Sequence, residues 1–478
     1  MTEKKDNNPH SAKLESVEQS SNSAMVTLFV VSAVQFLTPF MMSAVGVALP
    51  TIGREFSASA VQLSLIETVY ILAFSLFLLP AGRLGDIYGR KRIFTIGICV
   101  FTLGTLMVSL AFTLESFILF RFIQGSGGAM ITGTSVAILS SVFPPAKRGK
   151  AMGIIVAFVY LGLSLGPVLS GFMVAHLGWR WIFYLGVIVE VTALFLTVFK
   201  LKGEWAESRG ERFDIIGAFI YCLSLLCLIV GALNQKQGGT YVVLMLGGCI
   251  GLLGFLVFES RIKSPVLDVS LIFHNRVFAF SNLATLINYA ASFGIGFFFS
   301  LYLQCVRGYS PQTAGTILIV QPVCQTILSP YFGRLADRYS ASILATSGMG
   351  LCVIGLGFAT LVREQTPIFG IMAILALMGA GFGMFSSPNM AVVMGSVEPR
   401  QYGIASGFTA TMRTMGMLLC MTMITLVFNH IMGEHPVTFE TRGLFLSSMH
   451  LSMVVFSVLS ILGVFFSLGR IKPSINVP

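Results

Sequence analysis

Charge is what this sequence has least of. Asp, Glu, Lys and Arg make up only 10% of its 478 residues, whereas a soluble domain carries about 25%. That scarcity excludes an ordinary water-facing surface. Metal and redox spacings are missing too. The eight cysteines (99, 222, 227, 249, 305, 324, 352 and 420) contain no C-x-x-C pair, and the six histidines no H-E-x-x-H, so neither a metal site nor a disulfide framework is expected. No G-x-x-x-x-G-K-[S/T] loop occurs, which argues against drive by a nucleotide. An enzyme buried in apolar surroundings would need a nucleophile and base, or metal ligands, within mutual reach. No such set stands in the sequence, so no cofactor and no catalytic residue is expected.

What the chain has in abundance is apolar length. Hydrophobic residues make up 55% of it. They gather in fourteen runs: 25–49, 62–82, 92–112, 117–142, 150–175, 181–200, 213–233, 240–259, 276–304, 311–332, 341–362, 366–394, 401–431 and 443–469. About 20 residues of helix cross a bilayer. Backbone groups cannot stay unpaired in lipid, so these runs are predicted to be helices. A barrel is excluded, because its strands would alternate polar and apolar residues in short pieces. The expectation is an all-α integral membrane protein with the lipid bilayer as its solvent.

Fourteen spans put both chain ends on one side. The segments on that side carry 22 Lys and Arg, those on the other side 6, and Arg121 and Arg413 fall inside spans. This bias predicts that both termini are cytoplasmic. It also accounts for the net charge of +10 without a nucleic-acid partner. Residues 1–24 are polar and read as a disordered tail, not a signal peptide, since the apolar run that follows is too long. Residues 471–478 read as a second tail.

A short basic stretch recurs. GRLGDIYGRKR, Gly82 to Arg92, sets Arg83, Arg90, Lys91 and Arg92 around Asp86 between the second and third spans. GRLADRYS follows at Gly333, with Asp337 standing 251 residues after Asp86. A repeated loop implies a repeated fold unit. The expected division is two six-span bundles, 25–200 and 276–470, joined by a linker at 201–275 that carries two extra spans. Gly82 and Gly89 permit a tight turn, and Asp86 precedes a helix start, where the dipole favours an anion. Gly82, Asp86, Gly89, Arg90, Arg92 and Asp337 are therefore expected to form a latch between the cytoplasmic ends of the bundles.

Three ionisable residues lie inside the predicted spans. Glu67 sits about 9 Å below the outer surface at helical rise, and Arg121 is predicted at nearly the same depth. Such residues are costly and mark function by default. If the two are neighbours, Arg121 favours the charged carboxylate, and separation favours the protonated one. Glu190, near the centre of the sixth span, is a second candidate for proton binding. The alternatives are a snorkelling acid for Glu67, a structural salt bridge for the pair, and an interhelical hydrogen bond for Glu190. Along the fifth span, Gly153, Gly162, Gly166, Pro167 and Gly171 trace a thin stripe that lets another backbone approach. Pro167 is expected to kink that helix, as suits a gate.

The 82–92 sequence resembles the helix 2–3 signature of the major facilitator superfamily. Arg121-Phe-Ile-Gln124-Gly125 resembles its helix-four motif, and Gly153 to Gly171 its antiporter motif. VALPTIG (47–53), SRIKSPVLDVSLIF (260–273), LYLQCVRGYSPQTAG (301–315) and YGIASGFTATMR (402–413) extend the likeness to the fourteen-helix drug:proton antiporter family, over about residues 25 to 470. The resemblance implies two pseudo-symmetric bundles that rock about a central cavity, a small-molecule substrate, protons as the coupling ion, and function as a monomer. The spans it places around the cavity supply Gln35, Phe36, Phe40, Asn282, Asn288, Tyr289, Phe293, Phe385 and Asn389. Arg413 would tie helix ends or contact an anionic substrate. Three positions depart from the pattern. Met41 stands where the family has an acid, Ile87 replaces a usual cation, and Ser170 a usual glycine. The missing acid leaves Glu67 and Glu190 as substitutes. It also keeps open the alternative of a dedicated metabolite transporter, or an uncoupled facilitator, of the same fold.

Overall fold

The computed structural model describes residues 9–470 apart from 202, 263, 268, 399 and 400. Its helices are α1 (Pro9–Glu55), α2 (Ala60–Tyr88), α3 (Arg90–Ser109), α4 (Leu114–Val142), α5 (Pro145–His176), α6 (Arg180–Lys200), α7 (Ile215–Leu233), α8 (Gly239–Glu259) and α9 (Ser270–His274). There follow α10 (Arg276–Ser292), α11 (Ile295–Leu301), α12 (Pro311–Leu318), α13 (Val320–Leu335), α14 (Ala341–Ala359), α15 (Ile368–Gly395), α16 (Tyr402–Ile431) and α17 (Arg442–Leu468). A π-helical turn, Tyr302–Val306, continues α11. Among the described residues there are no strands.

Among the described residues, thirteen helices are long and apolar enough to cross a membrane, with Arg276–Val306 counted as one. The tenth expected span differs. It is divided into α12 and α13 at Ile319, so neither piece alone has the length of a span. Two other expectations change at their edges. The tail expected to be disordered is helical from Pro9, because extending a helix from an apolar segment is far easier than starting one. Residues 1–8 and the tail at 471–478 lie outside the described residues. The basic loop is almost entirely helix. α2 runs to Tyr88, α3 starts at Arg90, and the turn is Gly89 alone, at φ +116°. Only glycine takes that backbone readily, so one residue reverses the chain and the polar residues become helix ends.

Two six-helix bundles result. In the first, α1 packs on α5, and α4 on α2 and α3. In the second, α15 packs on α13 and α14, and α10 on α16 and α17. α7 and α8 form a hairpin beside them. The Tyr221 hydroxyl of α7 donates to the Ser75 carbonyl of α2 at 2.9 Å, while Val243, Ile250 and Leu253 of α8 are exposed, as lipid-facing residues are.

The bundles meet chiefly at the end remote from the chain termini. There Ser300 Oγ donates to Gly46 O at 2.7 Å, Gln304 Nε2 to Val47 O at 3.0 Å, and the Thr68 and Thr425 hydroxyls lie 3.3 Å apart. α5 and α12 touch backbone to backbone. A Cβ on Gly171 would lie 2.6 Å from the Pro311 carbonyl oxygen, and one on Gly315 would collide with the Pro167 carbonyl. Toward the other end of α5, a Cβ on Gly149 or Gly153 would meet nothing within 4 Å. The seam is thus closed at one end and parted at the other.

Candidate functional site

Small residues bring α2, α3 and α4 close enough for their interior side chains to touch. A Cβ on Gly125 would collide with the Tyr70 carbonyl of α2, and one on Gly127 with the Phe101 amide of α3. In the space so defined, Arg121 donates to Glu67 Oε2 at 3.3 Å and to Gln124 Oε1 at 2.6 Å. Its guanidinium lies 4.0 Å from the centre of the Tyr70 ring, a cation–π contact. Gln124 Nε2 donates to Thr105 Oγ1 at 2.8 Å, and Thr105 Oγ1 to Glu190 Oε1 at 3.0 Å. A hydrogen-bonded chain therefore runs Glu67–Arg121–Gln124–Thr105–Glu190 through α2, α4, α3 and α6, with every member buried. Glu67 Oε1, Arg121 Nε and Glu190 Oε2 have no hydrogen-bond partner among the described residues.

Met41 reaches the far end of this chain. A Cβ built on Gly186 would collide with Met41 Cε and lie 3.4 Å from Glu190 Oε1. The α1 side chain that replaces an acid and the α6 carboxyl thus share one spot over Gly186.

The charged corner between α2 and α3 closes on its own bundle and the linker. Arg90 pairs with Asp86 at 2.6 Å and Glu207 at 2.8 Å, and donates to Ser141 Oγ at 2.6 Å. Arg83 pairs with Glu211 at 2.6 Å. The Lys91 amide donates to Glu204 Oε1 at 2.9 Å, and the Ser208 amide to Asp86 O at 3.0 Å. The hydrogen bond from Arg90 holds the Glu207 carboxyl below its usual range. The expected latch between bundles is not made. Asp337 and Arg92 are exposed, and Arg90 and Arg83 are taken by linker acids 117 and 128 residues away.

The expected cavity residues divide. Phe36 and Phe40 stack at 5.5 Å, with Gly162 and Gly166 of α5 against their carbonyls. Gln35 accepts from Thr132 at 3.4 Å. Tyr289 meets Phe382 edge-on at 5.5 Å, with Arg413 nearby. Phe293 is half-buried. Asn282 and Asn288 are buried, and neither amide nitrogen nor oxygen of Asn288 has a partner among the described residues. Phe385 and Asn389 are instead turned into the second bundle. Phe385 packs with Ala284, Ala345 and Met349. Asn389 donates to Thr285 Oγ1 at 2.9 Å and accepts from Arg470. Their α15 positions face the bundle's interior because Gly348 of α14 is thin enough to let that helix in at Phe385.

The sequence matches the profile of the Major Facilitator Superfamily over residues 31–257 and 281–476. The chain belongs to this superfamily. It is a multi-pass membrane transporter. The riboflavin transporter RibZ of Clostridioides difficile (strain 630) is 29% identical over 394 residues, covering 82% of this chain and 86% of RibZ. The multidrug resistance protein Stp of Mycobacterium tuberculosis (strain CDC 1551 / Oshkosh) is 31% identical over 378 residues, covering 78% of this chain and 70% of Stp. The crystal structure of a bacterial homologue of the human lysosomal transporter Spinster, inward-facing and unoccupied, superposes with a TM-score of 0.66 at 15% identity, covering 95% of this chain and 99% of that one.

Gln124 stood in the sequence only as a member of the helix-four motif, and Thr105 and Tyr70 had no expected role. Two of the three carried a signal. Gln124 follows Arg121 by three residues, and Tyr70 follows Glu67 by three, which places each on the same helix face. Thr105 carried none, because its partner Glu190 is 85 residues away on another helix.

Proposed function

We propose that the chain is a proton-driven exporter of amphipathic compounds, of the fourteen-helix drug:proton antiporter type. It works as a monomer in the cell membrane with both termini in the cytoplasm. The parted end of the seam then faces the cytoplasm, ready to take up substrate. The buried chain from Glu67 to Glu190 carries this reading. It offers two carboxyls, one held by Arg121 and one by Thr105, linked by groups that can re-pair when α2, α3, α4 and α6 shift. A proton arriving from outside releases Glu67 from Arg121, and its departure to the cytoplasm restores the pair. Glu190 supplies from α6 the acid that Met41 removes from α1. The drive is sufficient, since one charge across 100 mV gains about 2.3 kcal/mol and tenfold in concentration costs about 1.4 kcal/mol.

The test is dye uptake into inverted vesicles under an imposed proton gradient, with Glu67→Gln and Glu190→Gln at matched protein levels. Gradient-dependent uptake that either variant abolishes supports the reading. Uptake indifferent to the gradient overturns it. The result would then favour a dedicated metabolite carrier, the reading that Met41 and the likeness to a riboflavin transporter make second.

A further inference from the structure

Among the described residues the second bundle buries Arg470 just past α17, donating to the neutral Asn389 and Ser281, and carries one further cation within its helices with no acid there to oppose it. No Asp or Glu stands in α10 through α17, and Arg276, Arg334 and Arg442 lie at helix ends. Arg413 does not. It is the twelfth residue of the 30-residue α16, about 16 Å from the helix start at 1.5 Å per residue. Arg121, the interior cation of the first bundle, has a carboxylate at 3.3 Å. The Tyr289 phenol near Arg413 is neutral and leaves that charge uncompensated.

Its surroundings join the two bundles. Arg413 is half-buried. One turn along, Gly416 packs α16 on α10 so closely that a Cβ there would lie 2.9 Å from Tyr289 Cβ. The Tyr289 ring meets Phe382 of α15. From the first bundle, Tyr160 of α5 crosses to Ser386 of α15, with the hydroxyls 3.0 Å apart. Four helices from both bundles thus present aromatic faces, hydroxyls and a single positive charge. The interior acids Glu67 and Glu190 are 4% and 0% exposed in the first bundle and offer nothing to a ligand here.

We propose that Arg413, with Tyr289 and Phe382, forms an anion-selecting subsite. The compounds carried bear a carboxylate on an aromatic body, and lipophilic cations are rejected. An uncompensated cation inside a membrane bundle calls for an anionic partner, and a guanidinium matches a carboxylate in a two-pronged hydrogen bond. The substrate class named here rests on the transport reading above, but its test needs no gradient.

Three probes share one fluorophore: dansylglycine (anion), its methyl ester (neutral) and dansylcadaverine (cation). Their binding to the full-length protein in detergent is followed by dansyl fluorescence. The expected order is anion, ester, cation, with about tenfold or more between first and last. Arg413→Gln should level the three, while Arg413→Lys should keep the order with a weaker anion. Level or reversed binding to the unsubstituted protein overturns the subsite, as does an absence of saturable dansylglycine binding. So does an Arg413→Gln protein, monodisperse on gel filtration, that keeps the preference. If Arg413→Gln does not fold, the order on the unsubstituted protein and on Arg413→Lys still decides. Charge-ordered binding without gradient-driven uptake would sink the proton-coupling reading alone. Gradient-driven uptake without charge order would sink the subsite alone.

Discussion

Thr105→Val tests the buried chain with the least disturbance of shape. Thr105 Oγ1 accepts from Gln124 Nε2 at 2.8 Å and can donate either to Glu190 Oε1 at 3.0 Å or to the Phe101 carbonyl at 2.9 Å. It has one proton, which favours Glu190 while Glu190 is charged and is freer to turn to Phe101 when Glu190 carries its own. Valine keeps the volume and removes the hydroxyl. A hydrogen bond to a charged group contributes about 1.5–3 kcal/mol, and each stranded buried group costs about 1–3 kcal/mol. Total stability is about 5–15 kcal/mol, so the variant should fold with a lowered Tm. Loss of the donor disfavours the charged form of Glu190 by about ten- to a hundredfold. The half-maximal pH of gradient-driven uptake in inverted vesicles should therefore rise by about one to two pH units, and Thr105→Ser should restore it. A Thr105→Val profile that superimposes on the unsubstituted one refutes the chain as a proton path. Failure of Thr105→Ser to rescue would show that packing, not the hydroxyl, matters.

Glu67→Gln strands the buried Arg121 charge and should cost about 3–5 kcal/mol, read as a fall in Tm. Adding Arg121→Gln should recover more than half of that loss, and a double variant no better than the single would refute the coupling. Gly315→Val cannot fit against the Pro167 carbonyl. It should hold the closed seam apart, so a cysteine placed at Thr425 gains labelling by an impermeant maleimide over the same cysteine without Gly315→Val. The Glu207 carboxyl is depressed below 4.5 by the hydrogen bond from Arg90, so its contribution is complete above that value and is lost as pH falls through the lowered one. Its side chain is 66% exposed, which limits the contribution to about 0–1 kcal/mol. Glu207→Gln should lower Tm slightly at pH 7, and the difference should vanish in acid.

The fold was legible because membrane helices announce themselves: apolar length in lipid leaves one choice of backbone. Their ends were not. Apolar runs measure the hydrocarbon thickness, whereas α2 extends to Tyr88 through polar residues that form helix beyond it. The break at Ile319 was invisible for the opposite reason, since both pieces are helical and apolar. At the site, sequence depth brought Glu67 and Arg121 to one level, and three-residue spacing would have added Tyr70 and Gln124. The link to Glu190 through Thr105 depends on how α3 packs on α4 and α6, which no local pattern encodes. Asp86 and its repeat Asp337 looked equivalent in sequence. They differ in the fold because only the first has a linker carrying Glu204, Glu207 and Glu211 beside it.

That linker makes the inserted α7–α8 hairpin a strut with two unequal anchors. Near the termini it is bolted to the α2–α3 corner by two ion pairs and an amide-to-carboxylate hydrogen bond. At the remote end it holds α16 by one ammonium on the Asn429 carbonyl at 3.0 Å and one amide on the Leu233 carbonyl at 3.4 Å. If the bundles rotate against each other, the weaker anchor is the one that slips. The hairpin then travels as ballast with the first bundle, and its far tip brushes the second at the point where the two separate.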